Sequence, residues 1–331
     1  ILGTTVPGLL ISHSLSRAGR PHVLIGGPEP PEKPRLGESL QECAGPELWR
    51  HFGREMSECF YPKNHISLFN GESPHVVMFD DPHRTTARIE RLADPARRVT
   101  FRTAASTLLH LDRSRFDVRL YRRVLAEPAC RFVPGRVTHV DFEGTSDRIT
   151  RIHMEGGRTI ETPAYVFDTL AWHAPVAKAA ELATKATSAP QRVVWRHYRA
   201  EQVSEDALLG RPAREREQRR WWLHGTNLLR PYREADGIEG ISWLICLGQA
   251  VSCGISLDAE SPEAGELDAE QILERLEQAW ARRGVDLVER FPERTAAEDF
   301  RHAYFVRERA YGRNWLLAGG SFAQFWYPGS L

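Results

Sequence analysis

Ile1-Leu2-Gly3-Thr4-Thr5-Val6-Pro7-Gly8-Leu9-Leu10-Ile11 is the stretch on which the reading of this chain turns. A short apolar strand runs into a tight glycine-bearing turn. A helix-period apolar run follows (Leu9, Leu10, Ile11, Leu15) and stops at Ala18-Gly19, and a second buried strand comes next at His22-Val23-Leu24-Ile25. Strand, turn, helix and strand within about 25 residues make one βαβ unit, the size at which two parallel strands can be bridged. Such a turn meets the helix N-terminus, where free backbone N–H groups and the positive end of the helix dipole favour a phosphate group.

The fingerprint for a dinucleotide at that place is G-x-G-x-x-G, and here it reads G-x-T-x-x-G. Gly3 supplies the tight turn and Gly8 the close helix–strand packing, while Thr5 stands where backbone should approach a pyrophosphate most closely. Gly26 occupies the end of the second strand, where an acid would bond a ribose hydroxyl. On these residues alone, an α/β domain whose first turn binds nothing stays open beside a dinucleotide site.

Working outward, 331 residues suffice for one large or two medium domains. Lys and Arg total 44 against 44 Asp and Glu, so no global field favours nucleic acid or an anionic membrane. The five cysteines are odd in number and form no C-x-x-C pair, which predicts reduced, mostly buried thiols and a cytoplasmic protein. No apolar run approaches a membrane span, and no signal-peptide pattern opens the chain. The chain starts inside a strand and stops at Pro328-Gly329-Ser330-Leu331, so both ends are expected to be trimmed.

Pro34-Arg35-Leu36-Gly37-Glu38-Ser39-Leu40 resembles the PR-x-GESL signature of flavin-dependent halogenases and related FAD monooxygenases, and later landmarks follow in that family's order. Lys63, in Phe60-Tyr61-Pro62-Lys63-Asn64-His65, is similar to the lysine that passes an activated halogen to substrate in an F-x-x-K-x-G-x-x-F context. An amine can do so as a nucleophile when neutral and a donor when charged. A solvated surface lysine is the competing reading. His65-Ile66-Ser67-Leu68-Phe69-Asn70 also resembles the N-x-S-x-W-G pattern of flavoproteins that hydroxylate tryptophan. A strand is expected at Val76-Val77-Met78-Phe79, and His75, Asp80, Asp81 and His83 read as a polar turn because their spacing fits no metal template.

Arg113-Ser114-Arg115-Phe116-Asp117 is similar to the family's R-x-x-F-D. Arg113 could offer a planar fork to a phosphate or a flavin carbonyl, and Asp117 falls in a first helical turn, where a carboxylate is favoured. Strands are expected near 130–133, 136–140, 149–154 and 165–168, with Gly156-Gly157 as a hairpin turn. Asp168-Thr169-Leu170-Ala171 resembles D-A-S-G with its glycine replaced. Further strands should open at Val193-Val194-Trp195 and Trp221-Trp222-Leu223, on either side of a charged loop at Arg211–Arg220. Gly240-Ile241-Ser242-Trp243-Leu244-Ile245-Cys246-Leu247 lies over G-W-x-W-x-I-P-L, which makes Trp243 and Ile245 the implied substrate-pocket residues. An amphipathic helix is expected over Leu267–Gly284. Gly312 to Phe322 resembles G-x-x-W-L-x-x-G-D-A, with Gly319 kept and Gly320 in place of the ribityl-binding Asp.

The resemblance implies an α/β fold, an FAD/NAD(P)-binding Rossmann-like domain interleaved with a β-rich substrate domain of hydroxybenzoate-hydroxylase type. The expected division assigns 1–66, 100–172 and 301–331 to the FAD-binding domain, and 67–99 and 173–300 to the substrate domain. The implied FAD-binding residues are Gly3, Thr5, Gly8, Arg35, Gly37, Glu38, Ser39, Arg113, Gly319 and Gly320; Lys63 is the implied catalytic residue, and no metal site is expected. The implied activity uses reduced flavin and O2 to halogenate or hydroxylate an aromatic substrate, free or held on a carrier or protein, with a separate reductase supplying the flavin. Departures at Thr5, Gly26, Ala171 and Gly320 each cost one hydrogen bond's worth, about 0.5–1.5 kcal/mol. Together they amount to on the order of a hundredfold in affinity, so FAD is expected to be held weakly or lost. Two alternatives follow: a degenerate flavoprotein fold acting as a scaffold, and a flavoprotein hydroxylating a tryptophan of a partner protein.

Overall fold

In the computed structural model, the described residues are 1–40, 44–63, 65–69, 74–78, 108–161, 163–199, 225–247 and 250–324. The expected features at Asp80, Asp81, His83, 211–220 and 221–223 lie outside them. The chain forms two compact units, one of 1–33, 114–189 and 303–326, the other of 34–113, 190–302 and 327–331. Both α-helices and strands build each unit, so the fold is mixed α/β.

The first unit is built on the opening βαβ. Leu2 bridges in parallel to Ile25 on one side and to Asp168 on the other. The His22–Gly26 strand pairs in parallel with Cys130–Pro134, and Val166–Asp168 pairs in parallel with Trp315–Leu317. The opening stub therefore lies in the middle of a parallel layer. A strand with neighbours on both sides needs apolar side chains throughout, and Leu2, Leu24, Ile25, Val166 and Trp315 are all buried. Helix α1 (Val6–Arg17) starts at the turn, with Thr5 as its N-cap and Pro7 in its first turn. An antiparallel three-stranded sheet (Val137–Phe142, Ile149–Met154, Thr159–Glu161) adds Val140, Ile152 and Met154 to the same core. Helix α2 (Arg113–Leu125) buries Phe116, Leu120, Tyr121 and Val124 along one face.

The second unit is organised on one large sheet. From one edge its order is Glu298–His302 with Glu293–Arg294, then Gln191–Arg199, Ala250–Asp258, Ile241–Leu247, Gly225–Leu229, His65–Phe69 and Pro74–Met78. Only the Gly225–Leu229 and His65–Phe69 pair is parallel among these neighbours. Helix α3 (Ala269–Ala281) covers one face and lays Ile272, Leu273, Leu276 and Trp280 on Val194, Tyr198, Leu244, Val251, Cys253 and Ile255. Each large apolar side chain so buried is worth about 1.5–3 kcal/mol. The helix was expected at Leu267–Gly284; a capping box of Asp268 and Gln271 sets its start two residues in, at Ala269.

The units divide the chain differently from the expected domain boundaries. Residues 34–63 and 108–113 pair with each other through Phe60–Lys63 and Leu108–Leu111, and they pack within the second unit, where Ser39 and His110 reach Thr226 and Glu38 reaches His197. Residues 173–189 pack within the first, where Thr184–Ala186 pairs with Phe305–Arg307. Among the described residues Cys59, Cys246 and Cys253 are buried free thiols, and Cys130 is a half-buried one. No helix among them is long and apolar enough to cross a membrane.

Candidate functional site

The glycine turn of the first unit is tightly closed. Gly3 has φ +107°, and a Cβ there would lie 2.8 Å from Leu170 Cδ2. At Gly8 a Cβ would come within 2.2 Å of the Gly3 carbonyl oxygen, a backbone atom that cannot give way. Both glycines are thus required by close approach, as the sequence reading expects. Thr5, the departure from the fingerprint, has its hydroxyl 2.9 Å from Thr169 Oγ1 and 3.1 Å from the Thr169 carbonyl, and it accepts from the Gly8 N–H at 3.4 Å. The turn offers few free donors: Pro7 has no N–H, and the Gly8 N–H is directed at Thr5.

The other departures have structural partners too. A Cβ at Gly26 would meet Thr4 Cγ2 at 2.4 Å, so the strand end where an acid was sought is filled by Thr4. Ala171, in place of a glycine, adopts φ +52°, the left-handed conformation that a glycine would take without strain. Its N–H donates to Ser321 Oγ at 2.8 Å. Asp168 accepts from the backbone of Leu170 and Val176 and from Ser321 Oγ, and burial nonetheless pushes its carboxyl above the usual range. Gly319 packs on Pro7, where its Cβ would be 2.9 Å from Pro7 Cγ. A Cβ at Gly320, the lost aspartate, would meet Gln324 Nε2 at 2.9 Å.

In the second unit a buried polar cluster forms on the sheet face opposite α3. Strand alternation decides which residues point there. Val194, Tyr198, Leu244 and Cys253 face the helix, so Trp195, His197, Trp243, Ile245 and Ser252 face away from it. Register sets two rows across that face, Trp195–Gly254–Trp243–Leu228 and His197–Ser252–Ile245–Thr226. Gly254 makes room for the first row, since a Cβ there would strike Trp195 Cβ and Trp243 Cζ2, each at 2.4 Å. Trp243 Nε1 donates to Ser252 Oγ at 3.2 Å.

The 34–40 strap lies against this face. Leu111 N donates to the Glu38 carbonyl at 2.6 Å, and Leu40 N to that of Leu109 at 3.1 Å. Glu38 Oε1 lies 2.7 Å from His197 Nε2, with the side chains 1% and 5% exposed. Ser39 Oγ is 3.1 Å from Thr226 Oγ1 and accepts from Lys63 Nζ at 2.9 Å. His110 Nε2 is 3.0 Å from the same Thr226 hydroxyl. Lys63 is 2% exposed, so it is not the solvated surface charge of the competing reading. Arg113 Nη1 donates to the Leu36 carbonyl at 2.7 Å and would be 2.7 Å from a Cβ at Gly37. It thereby holds the strap in shape. Arg35 is half-buried on the same strap.

Of the residues singled out in the sequence, Glu38, Ser39, Lys63, Trp243 and Ile245 belong to this face, and Gly37, Arg35 and Arg113 to the strap that reaches it. Gly3, Thr5, Gly8, Gly319 and Gly320 belong to the first unit. Sequence reasoning missed His197, His110, Thr226 and Ser252. His197 and Glu38 are 159 residues apart, and no local pattern links them. The one available signal was a histidine within the apolar run Val193-Val194-Trp195-Arg196-His197-Tyr198. On the helix side, burial drives the Cys253 thiol and the Tyr198 phenol far above their ordinary pKa values, which leaves both protonated and inert.

No protein-family model and no curated protein matches the chain by sequence. Solved structures do match it. The flavin-dependent brominase Bmp2 is similar over 98% of this chain and 71% of its own, with a TM-score of 0.68 and 15% identity. The flavin-dependent halogenase CmlS matches 97% of this chain and 52% of its own, with a TM-score of 0.67 and 15% identity. BrvH, a flavin-dependent halogenase from Brevundimonas sp., matches 96% and 64%, with a TM-score of 0.61 and 15% identity. The fold is that of the flavin-dependent halogenases. At 15% identity these relatives speak for the fold alone.

Proposed function

We propose that this chain is an FAD-dependent oxidoreductase that uses reduced flavin and O2 to halogenate an electron-rich aromatic substrate. The observation that carries the proposal is Lys63, a buried amine hydrogen-bonded to Ser39 of the strap and so joined to the polar cluster on the sheet face, within a fold shared with flavin-dependent halogenases. In this reading the first unit binds the dinucleotide with Gly3, Thr5, Gly8, Gly319 and Gly320 around its turn. Arg35, Gly37 and Arg113 shape the strap. Reduced flavin, delivered by a separate reductase, would activate O2, and O2 would be the two-electron oxidant for the halide.

The chain's own residues have separable tasks. Ser39 accepts one hydrogen bond from Lys63 Nζ and so fixes where the amine points. Thr226 and His110 continue that hydrogen-bonded chain into the sheet and hold the serine in turn. Trp243, Ile245 and Trp195 give the face its apolar bulk, which suits an aromatic ring and excludes water. The Glu38–His197 pair is an acid–base couple on the same face and can take the proton that an arene gives up on substitution.

Two measurements test this. Added FAD should bind, with its fluorescence quenched in the micromolar range, and with a flavin reductase and bromide an indole or phenol probe should gain one bromine by mass spectrometry. Lys63→Ala should abolish that product while leaving FAD binding within about twofold, because only the amine is lost. Lys63→Arg should fail equally, since a guanidinium stays protonated. Brominated product from Lys63→Ala at the wild-type rate would overturn the role of the amine. FAD that fails to bind at high micromolar concentration would overturn the activity altogether.

A further inference from the structure

A second cluster of chemistry-bearing side chains lies in the first unit, on the outer face of its antiparallel sheet, and the proposed activity does not use it. His139 and Asp141 stand two residues apart on the Val137–Phe142 strand and so share a face. His153 lies directly across from His139 on the neighbouring strand. Register shifts flank the segment, between Val137 and His139 and between Asp141 and Phe142, and such bulges re-aim side chains. We propose that His139, Asp141 and His153 form a binding site for one divalent transition-metal ion of borderline softness, of the zinc or copper(II) class.

The geometry supports this in several ways. The two imidazole rings are stacked, with centroids 3.9 Å apart and 7° between planes. His153 Nε2 is 2.8 Å from Asp141 Oδ2, and His139 Nε2 is 4.0 Å from Asp141 Oδ1. All three donor atoms lie within 4.8 Å of one another. Ligands held at about 2.0–2.2 Å around a tetrahedral ion sit roughly 3.3 Å apart, so the donors need only small rotations to close on one ion. The side chains are 58%, 39% and 22% exposed for His139, Asp141 and His153, which leaves an ion an entry path and room for water in its remaining position.

The protons are arranged suitably. Thr138 Oγ1 donates its single proton to the His153 carbonyl at 3.2 Å. Toward His139 Nδ1, 3.2 Å away, that hydroxyl can only accept, so Nδ1 carries the ring proton. The lone pair of His139 is left on Nε2, which faces Asp141. This is the outer hydrogen bond that a metal-bound histidine uses to fix its tautomer. At His153 a metal would replace the proton shared with Asp141 and release it to solvent. Arg151 lies opposite Asp141, with Nη1 3.7 Å from Oδ2, and it opposes a cation; its Nε is drawn instead to Glu161 Oε1 at 2.7 Å. Two imidazoles and one carboxylate suit zinc or copper(II) and do not suit magnesium or calcium, which take mostly oxygen ligands.

Titration calorimetry of the full chain with Zn2+ tests the proposal. One site with a micromolar dissociation constant is expected, unaffected by millimolar Mg2+. Single changes His139→Ala and His153→Ala should each weaken it by about tenfold or more, since even outer-shell losses cost 10–100-fold. The positions are on an outer strand face, and circular dichroism of the variants should match the parent. Unchanged Zn2+ affinity in the His139→Ala/His153→Ala double variant would place the ion elsewhere and overturn the site. So would Mg2+ competing at equal concentration, or no Zn2+ binding up to one millimolar.

Discussion

Ala171 shows how much a single residue can reveal about a lost motif. The D-A-S-G pattern asks for glycine there, and the alanine that replaces it keeps the left-handed φ of +52°. The backbone path has been retained and the side chain carries the strain, which for an L-residue is about 1–2 kcal/mol. Ala171→Gly should therefore stabilise the protein, by about 0.5–1 kcal/mol after the extra freedom of glycine in the unfolded chain is counted. A rise in the urea midpoint at unchanged slope checks this; a fall would mean that the alanine methyl makes compensating contacts. Residue-scale reading of the sequence singled out Gly3 and Gly8, whose close approach the fold requires, and the buried Lys63, because each sits in a short pattern. It could not foresee that Thr5 would be tied to Thr169, 164 residues away, since that contact exists only once the sheet has formed.

At the scale of elements, the legible features were those whose signal is local. The opening βαβ, the Gly156-Gly157 hairpin and the helix over Ala269–Ala281 all follow from periodicity and turn residues within one window. What joins them is less visible. Asp236, at the end of a short Arg233–Asp236 helix, has its side chain fully buried and bonded to Arg282 and Arg283 at the end of α3. It also caps the Tyr232 N–H at 2.9 Å. Burial alone would raise its pKa, but the two arginines and that N–H together hold the carboxyl below the usual range. A depressed folded pKa means that its stabilisation is full at neutral pH and is lost as pH falls below about 4. Asp236→Asn should cost about 3 kcal/mol or more at pH 7, the scale of breaking a buried charge pair. The difference between variant and parent should narrow as pH is lowered toward 3. Urea denaturation at several pH values measures this, and a gap that widened on acidification would refute the assignment.

The whole molecule matches flavin-dependent halogenases over nearly its full length, and the motif order had pointed there despite changes at Thr5, Gly26, Ala171 and Gly320. The division into units was less legible, because it depends on long-range pairings. Thr184–Ala186 pairs with Phe305–Arg307, and Ser39 and His110 reach Thr226, so each of these contacts draws a segment across an expected boundary. Pairing partners of that kind leave no trace in the composition of either strand.

The parallel layer of the first unit has a consequence for how the protein is made. Its strands come from residues 1–3, 22–26, 130–134, 166–168 and 315–317, so a ribosome delivers the first neighbour of Leu2 early and the strand that shields Val166–Asp168 very late. At about 5–20 residues per second, Val166 emerges many seconds before Trp315 can cover it. During that interval the nascent chain carries an open sheet edge, the kind of surface that recruits chaperones or pairs with a neighbour. A chain stopped at 302 should stay in that condition, exposing apolar surface to a dye such as ANS and aggregating on release. A soluble, dye-silent product would mean that the Val166–Asp168 edge is protected without its last strand. Synthesis, more than final stability, is then the stage at which this protein is most vulnerable.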